Sequence, residues 1–124
     1  KSLEIIKKSL PVGHPLLAGC YSNIGAVYDC TGEYLKALEY NHKSLEIRKK
    51  SLPVNHPDLA TSYGNTGMAY HRMNEYAKAL EYSDKSLEIF AKTLPSNHET
   101  IKILKKNIET LRSHISMLVA FCRK

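Results

Sequence analysis

Histidine and cysteine are the side chains of this sequence most typical of a zinc site, and their spacing decides whether they could form one. Three histidines recur at an interval of 42 residues: His14, His56 and His98. Zinc ligands converge on one point at about 2.0–2.3 Å, whereas residues 42 apart in a repeating chain lie about one repeat width from each other. The three cysteines show neither a CxxC motif nor the Cys/His spacing of a zinc site. The sequence therefore predicts no metal and no other cofactor, with the histidines packing where helices begin and the cysteines present as reduced thiols.

Catalysis requires groups that converge on a substrate, and the sequence contains none of the familiar arrangements. There is no nucleophile elbow, no phosphate-binding loop, no HExxH motif and no pair of acids placed to perturb each other. We therefore predict that the chain is not an enzyme.

A repeat of 42 residues organises the whole chain. The segment KSLEI begins at Lys1, Lys43 and Lys85, and a Leu-Pro pair follows each copy in phase. Residues 1–42 and 43–84 are identical at 26 positions without a gap. A fixed period of 20 to 50 residues indicates a repeat protein. After Glu99 the third copy diverges, so the chain ends in a variant segment.

Each unit reads as two helices joined by a short turn. Apolar residues recur at helical spacing, and pairs such as Glu39/Lys43 and Glu81/Lys85 add support at i,i+4. We predict the second helices at residues 33–51 and 75–93, ending before the Leu-Pro pairs. Gly32 and Asn74 occupy the turns, since both residue types tolerate the left-handed conformation.

Tandem antiparallel helix pairs with small residues at the helix contact resemble the tetratricopeptide repeat (TPR). In the first unit the residues that carry this pattern are Tyr21, Gly25, Tyr28, Gly32, Tyr34 and Ala37. The same residue types recur 42 positions later, except that Asn74 replaces the turn glycine Gly32. The period, the long second helix and the LPxxHP connection are similar to the repeats of kinesin light chain. The resemblance implies an all-α, right-handed superhelical solenoid of antiparallel helix pairs.

On this resemblance we expect a single array over residues 1–124. It would comprise the second helix of a truncated repeat (1–10), two repeats (14–51 and 56–93) and a closing helix (98–121). The first residue is not Met, and the chain reads as a fragment of a longer protein.

The resemblance also implies a peptide-binding groove, because the first helix of each TPR unit lines the concave surface. Asparagines recur there in phase, and an amide can both donate to and accept from a peptide backbone. The residues that we predict to contact a peptide are Asn23, Asn65, Met68, His71, Arg72, Lys106 and Asn107. Arg72 and Lys106 would suit an acidic ligand. The predicted function is a protein-protein interaction scaffold or adaptor that works in the cytoplasm.

Of three alternatives to a peptide adaptor, which are nucleic-acid binding, membrane insertion and an assembly role, only the last stays open. A net charge of +6 and eight tyrosines could suit nucleic acid, but most tyrosines occupy core positions of the repeat, so we predict no nucleic-acid partner. No apolar run approaches the roughly 20 residues of a membrane span. The closing helix ends in an apolar stretch, Met117–Cys122, which favours self-association or a role as a spacer or assembly segment in a larger multidomain enzyme or signalling protein.

Overall fold

The computed structural model describes residues 15–123, and this part of the chain forms five α-helices and no strand. The predictions for residues 1–10 and for His14 lie outside the described residues. The helices run as follows: α1, Pro15–Cys30; α2, Tyr34–Ser51; α3, Pro57–Arg72; α4, Tyr76–Thr93; and α5, Glu99–Arg123. The predicted all-α fold is confirmed.

The turns within the two units have the predicted conformation. Gly32 and Asn74 have positive φ angles of 85° and 63°. In each turn the following amide donates back into the first helix, Glu33 N–H to the carbonyl of Tyr28 and Glu75 N–H to that of Tyr70, both at 2.9 Å. These bonds satisfy carbonyls that the end of a helix leaves free, and they reverse the chain.

The two helices that follow Leu52-Pro53 and Leu94-Pro95 each begin with a histidine cap. His56 Nδ1 accepts a hydrogen bond from the backbone N–H of Asp58 at 3.0 Å, and His98 Nδ1 accepts one from Thr100 at 3.1 Å. An N-cap satisfies an amide that has no partner inside the helix. Two of the three phased histidines therefore cap helices, a more specific role than the packing that the sequence predicts.

Small residues bring the two helices of each unit together. A Cβ atom on Gly25 would lie 2.4 Å from Asn41 Oδ1, and one on Gly67 would lie 3.1 Å from Ser83 Oγ. Each helix packs against the next along the chain, and Leu45, Leu59, Ala60 and Ile89 form a buried cluster where the units meet. Helices that contact mainly their neighbours in sequence make a solenoid.

The tyrosines stack on one another between the paired helices. Tyr70 and Tyr82 have ring centroids 5.5 Å apart, and Tyr28 and Tyr40 are 5.7 Å apart. Lys43 covers the Tyr40 ring with its ammonium 5.1 Å from the centroid. These rings are engaged within the protein, as their positions in the repeat predict.

Helix α5 covers α4 with one face and then extends beyond it. Ile101, Ile108 and Leu111 are buried, and His114 stacks on Tyr76, the first residue of α4, at 5.0 Å. The nine residues after His114 therefore reach roughly 13 Å past the start of α4 at 1.5 Å per residue. We call residues 115–123 the overhang. Among the described helices, none is long and apolar enough to cross a membrane.

Candidate peptide-binding groove

Three adjoining cavities lie along the first helices of the units, and Met68 lines all of them. Five of the seven predicted site residues line this surface: Asn65, Met68, His71, Arg72 and Asn107. Asn23 and Lys106 are exposed and line none of the three cavities. We call the surface made by the three cavities the groove.

The central part of the groove is a cavity of about 330 Å³ between α3, α4 and α5. Its apolar wall is formed by Met68, Phe90 and Ile103, and the first and last of these are 47% and 52% exposed. Asn65 and Asn107 line the same cavity. An exposed apolar wall beside polar amides is the usual composition of a site that binds an organic ligand. We call this space the apolar cavity.

A second cavity, of about 60 Å³, lies between α1, α2 and α3 and is more polar. Asn41 crosses it and donates from Nδ2 to the backbone carbonyl of Asn65 at 3.4 Å. Asp29 reaches it from the end of α1 and forms a salt bridge through Oδ2 with Arg72. The other carboxylate oxygen, Oδ1, has less than 1 Å² of exposed surface and no hydrogen-bond partner among the described residues. We call this space the polar cavity.

The third cavity, of about 350 Å³, lies where α3 ends and α4 begins. His71 meets Tyr76 edge-on, with ring centroids 5.7 Å apart, and His114 stacks on the Tyr76 ring. Arg72 and Asn107 complete its polar rim. This cavity opens the groove toward the side on which the overhang projects.

The two repeat junctions differ in the side chains that close them. At the α2–α3 junction, which we call the first junction, Arg48 donates to Ser62 Oγ at 2.8 Å and to the carbonyl of Asp58 at 3.3 Å. At the α4–α5 junction, the second junction, Phe90 and Leu104 stand 42 residues after Arg48 and Ser62 and line the apolar cavity. The first junction is closed by hydrogen bonds and the second exposes apolar side chains.

One titratable group also bridges the first junction. His42 Nε2 lies 3.1 Å from the Tyr70 hydroxyl, so the two are hydrogen-bonded. Burial lowers the pKa of His42, and the positive charge of Lys78 lowers it further, whereas Glu46 opposes both. The neutral imidazole is therefore the form that the folded chain favours.

Sequence reasoning missed two features of the groove. It did not predict that Arg72 is paired with Asp29, although the two residues lie one repeat plus one residue apart on the same side of α1 and α3. It also missed Phe90 and Ile103. For Phe90 a signal was available, because this phenylalanine stands 42 residues after Arg48. Within residues 15–123, no three His, Cys, Asp or Glu side chains are placed to share a metal ion.

Comparisons with known proteins identify the repeat. The family model described as tetratricopeptide repeat matches residues 16–92. A crystal structure of a Podosopora anserina protein assigned as a kinesin light chain with nearly identical TPR-like repeats superposes with a TM-score of 0.82 at 24% identity, covering 88% of this chain and 52% of that one.

BtubC (BKLC) from P. vanneervenii gives a TM-score of 0.75 at 26% identity, covering 82% of this chain and 41% of that structure. This chain thus spans about half the length of the solved structures that it matches. None of the curated proteins matches it. The likeness at 24% identity is one of fold, and together with the family match it confirms the predicted solenoid of helix pairs with kinesin-light-chain-like repeats.

Proposed function

Because the chain belongs to the tetratricopeptide repeat family, we propose that its groove binds an extended peptide segment of another protein. Repeats of this family generally act as non-catalytic scaffolds for protein interactions. The observation that carries the more specific proposal is the apolar cavity with an asparagine on each side, Asn65 and Asn107. We place this interaction in the cytoplasm.

The two asparagines would hold the backbone of the peptide while the cavity takes one of its side chains. Each amide offers an N–H donor and a carbonyl acceptor, which match the alternating groups of an extended chain. An apolar side chain entering between Phe90 and Ile103 would leave water at a gain of about 1.5–3 kcal/mol. The apolar cavity would select the side chain of the peptide that it accepts, and the asparagine amides would fix the position of the peptide backbone along the groove.

The predicted preference for acidic ligands depends on Lys106. Arg72 already neutralises Asp29, so it has little charge to offer a ligand. Lys106 is exposed and forms no salt bridge within the part of the chain that the structure describes. An acidic residue of the peptide would therefore pair with Lys106, at the edge of the groove, with the small energy typical of exposed ion pairs.

The proposal is tested by selecting peptides from a random twelve-residue display library on the immobilised chain, then measuring the dissociation constant of the best one by calorimetry. Replacing both groove asparagines, Asn65→Ala with Asn107→Ala, should weaken binding at least tenfold. Asn23→Ala is the matched control, because Asn23 is in phase with them but lines none of the cavities. Circular dichroism checks that all variants are folded. Failure to enrich any peptide, or equal affinities, would reject the groove as a peptide site.

A second candidate function is assembly with another copy of the chain through the overhang. Met117 and Phe121 are 70% and 79% exposed there, and Ile115 and Leu118 continue the apolar face with which α5 covers α4. In the preceding unit Gly67 leaves room for α4 to pack closely on α3, whereas Glu109 holds the corresponding position of α5. Another helix therefore could not pack on α5 as closely as α4 packs on α3. A copy related by two-fold symmetry would instead lie along the continued apolar face.

Sedimentation equilibrium distinguishes this candidate from an adaptor that acts as a monomer. If the overhang joins two copies, the chain dimerises at high concentration, Phe121→Glu abolishes the dimer, and Val54→Glu, an equally exposed apolar residue in a connection, leaves it intact. A monomer across the whole concentration range rejects assembly through the overhang. A dimer that Phe121→Glu abolishes would support the wider alternative, a spacer or assembly segment of a larger multidomain enzyme or signalling protein.

A further inference from the structure

We propose that Ser51 is a phosphorylation site for a protein kinase that recognises basic residues, and that a phosphate on Ser51 draws Arg48 away from the first junction. The inference goes beyond peptide binding, because it concerns how one of the two junctions is regulated. Three observations carry it: the charge pattern before Ser51, the hydrogen bonds of Arg48, and the contrast with the next copy of the repeat.

The residues around Ser51 have the charge pattern that such a kinase binds. Arg48, Lys49 and Lys50 precede the serine, and the apolar Leu52 follows it. A kinase that selects basic substrates places acidic side chains beside the residues that precede the hydroxyl, so the charge of the substrate decides which hydroxyl reacts. Ser51 is the only serine or threonine of the sequence that has an arginine three positions before it.

The Ser51 hydroxyl lies at the surface, on the last residue of α2. It donates to the carbonyl of Ile47 at 2.8 Å, an exposed bond that opens to water. Leu52 already has an extended backbone, with φ −118° and ψ 153°, and Pro53 follows it. A kinase cleft takes its substrate as an extended segment, so only the last turn, residues 48–51, has to unwind. Helix ends open at the smallest free-energy cost in a fold.

The reaction transfers the terminal phosphoryl group of ATP. Ser51 Oγ forms a bond to the γ-phosphorus, the bond from that phosphorus to the oxygen shared with the β-phosphate breaks, and ADP leaves with the electron pair. The proton of the hydroxyl passes to the catalytic aspartate of the kinase. The phosphate on Ser51 then carries roughly two negative charges at neutral pH.

Arg48 connects this phosphate to the first junction. Residues three apart on a helix are neighbours, so a phosphate on Ser51 lies within reach of the Arg48 guanidinium. That guanidinium donates to two neutral acceptors of α3, the Ser62 hydroxyl at 2.8 Å and the Asp58 carbonyl at 3.3 Å. A phosphate dianion is a stronger acceptor than either of them. Phosphorylation therefore exchanges the bonds that join α2 to α3 for a bond within α2.

The next copy of the repeat supplies a matched control. Thr93 ends α4 as Ser51 ends α2, and its hydroxyl donates to the carbonyl of Ile89 at 3.1 Å. Phe90 stands three residues before Thr93, in the place of Arg48. The local structure is thus the same, without the arginine that the kinase would recognise and the phosphate would draw away.

Recognition is tested with the catalytic subunit of cAMP-dependent protein kinase, which selects an arginine three residues before the hydroxyl, and with MgATP. The chain carries Thr93→Ser, so that positions 51 and 93 offer the same hydroxyl. Mass spectrometry of the digested chain should show position 51 modified at least about tenfold faster than position 93. Adding Phe90→Arg should raise the rate at position 93. No phosphate at position 51, equal rates at the two positions, or a rate at position 93 that Phe90→Arg leaves unchanged would overturn the assignment of the site.

The effect on the junction is tested separately, with phosphoserine incorporated during translation at position 51 or at position 93. Amide hydrogen exchange at the start of α3, residues 59–64, should become about tenfold faster with phosphoserine at position 51. Phosphoserine at position 93 should leave it unchanged. In Arg48→Met, which lacks the bonds to Ser62 and Asp58 from the outset, phosphoserine at position 51 should add nothing. Equal exchange with and without the phosphate, or an increase that persists in Arg48→Met, would overturn the proposed effect on Arg48.

Discussion

The two repeat junctions share a backbone arrangement and differ in what their side chains do. At the first junction, Arg48 reaches across to Ser62 and to the Asp58 carbonyl. At the second, Phe90 and Leu104 take the corresponding positions and form part of the wall of the apolar cavity. Two differences between copies of one repeat thus replace a hydrogen-bonded contact by an apolar cavity wall.

The same contrast extends to the small residues beside each junction. Asn41 contacts Gly25 and also bonds the next unit through the Asn65 carbonyl, whereas its counterpart Ser83 is shorter and lies against Gly67. The first junction is therefore the more tightly connected of the two. In a solenoid, where stability is carried by units and by their interfaces, such differences set where the array opens first.

The largest expected effect comes from adding one methyl group at each in-phase glycine. Gly25→Ala should destabilise the fold by about 1–3 kcal/mol, because its Cβ would lie 2.4 Å from Asn41 Oδ1. Gly67→Ala should cost less, since the nearest atom, Ser83 Oγ, is at 3.1 Å. Urea denaturation followed by circular dichroism measures both. Asn41→Ser should reduce the cost of Gly25→Ala by supplying the smaller residue of the second unit.

Gly19→Ala is the control for the change from glycine to alanine itself. Apart from the adjoining residues and backbone of α1 itself, no described atom lies within 4 Å of a Cβ at this position, so alanine should stabilise α1 by up to about 1 kcal/mol through its helix propensity. Equal costs for the Gly25 and Gly67 substitutions would contradict the difference drawn between the junctions.

A smaller effect is expected from removing the hydrogen bonds of the first junction. Arg48→Met should cost about 1–2 kcal/mol of unfolding free energy, because it leaves the buried Ser62 hydroxyl without this donor. The double variant Arg48→Met with Ser62→Ala should lose less unfolding free energy than the sum of the losses of the two single variants. Arg112→Met, at an exposed position of α5, is the control and should change little. Fully additive costs would show that the Arg48–Ser62 contact contributes nothing.

The smallest expected effect is a pH dependence confined to the first junction. The pKa of His42 is lower in the folded chain than its ordinary value of 6.5, so the unfolded chain binds this proton more readily. The contribution of the neutral imidazole is complete above pH 6.5 and is lost as the pH falls from there through the folded-state pKa. His42→Gln should therefore flatten the loss of stability below pH 6.5 in urea titrations. An unchanged slope would contradict this role for His42.

Most of the fold could be predicted from the sequence because it depends on local, repeated signals. The helix ends follow from proline, and the turns follow from Gly32 and Asn74, whose positive φ angles the structure confirms. The in-phase asparagines led to Asn65 and Asn107, which line the apolar cavity, but the same reasoning gave Asn23, which lines none of the three cavities. Periodicity places a residue on a face without saying which neighbours surround it.

The pairing of Arg72 with Asp29 could not be read from periodicity for a related reason. In the first unit Cys30 occupies the place of Arg72, and in the second His71 occupies the place of Asp29. The salt bridge therefore joins positions that do not repeat, and it depends on how two long side chains meet across successive units. Such contacts require the side-chain positions that only a structure supplies.

Whether the groove at the second junction is the ligand site can be tested with the three methionines of the chain. Met68 lies in the groove, Met73 in the turn between α3 and α4, and Met117 in the overhang, so each reports on a different surface. Methyl ¹³C-labelled chain would be titrated with the peptide selected from the display library. If the groove is the ligand site, the Met68 signal shifts and shows intermolecular contacts, while the Met73 and Met117 signals stay in place. A shift confined to Met73 or Met117, with Met68 unmoved, would contradict it.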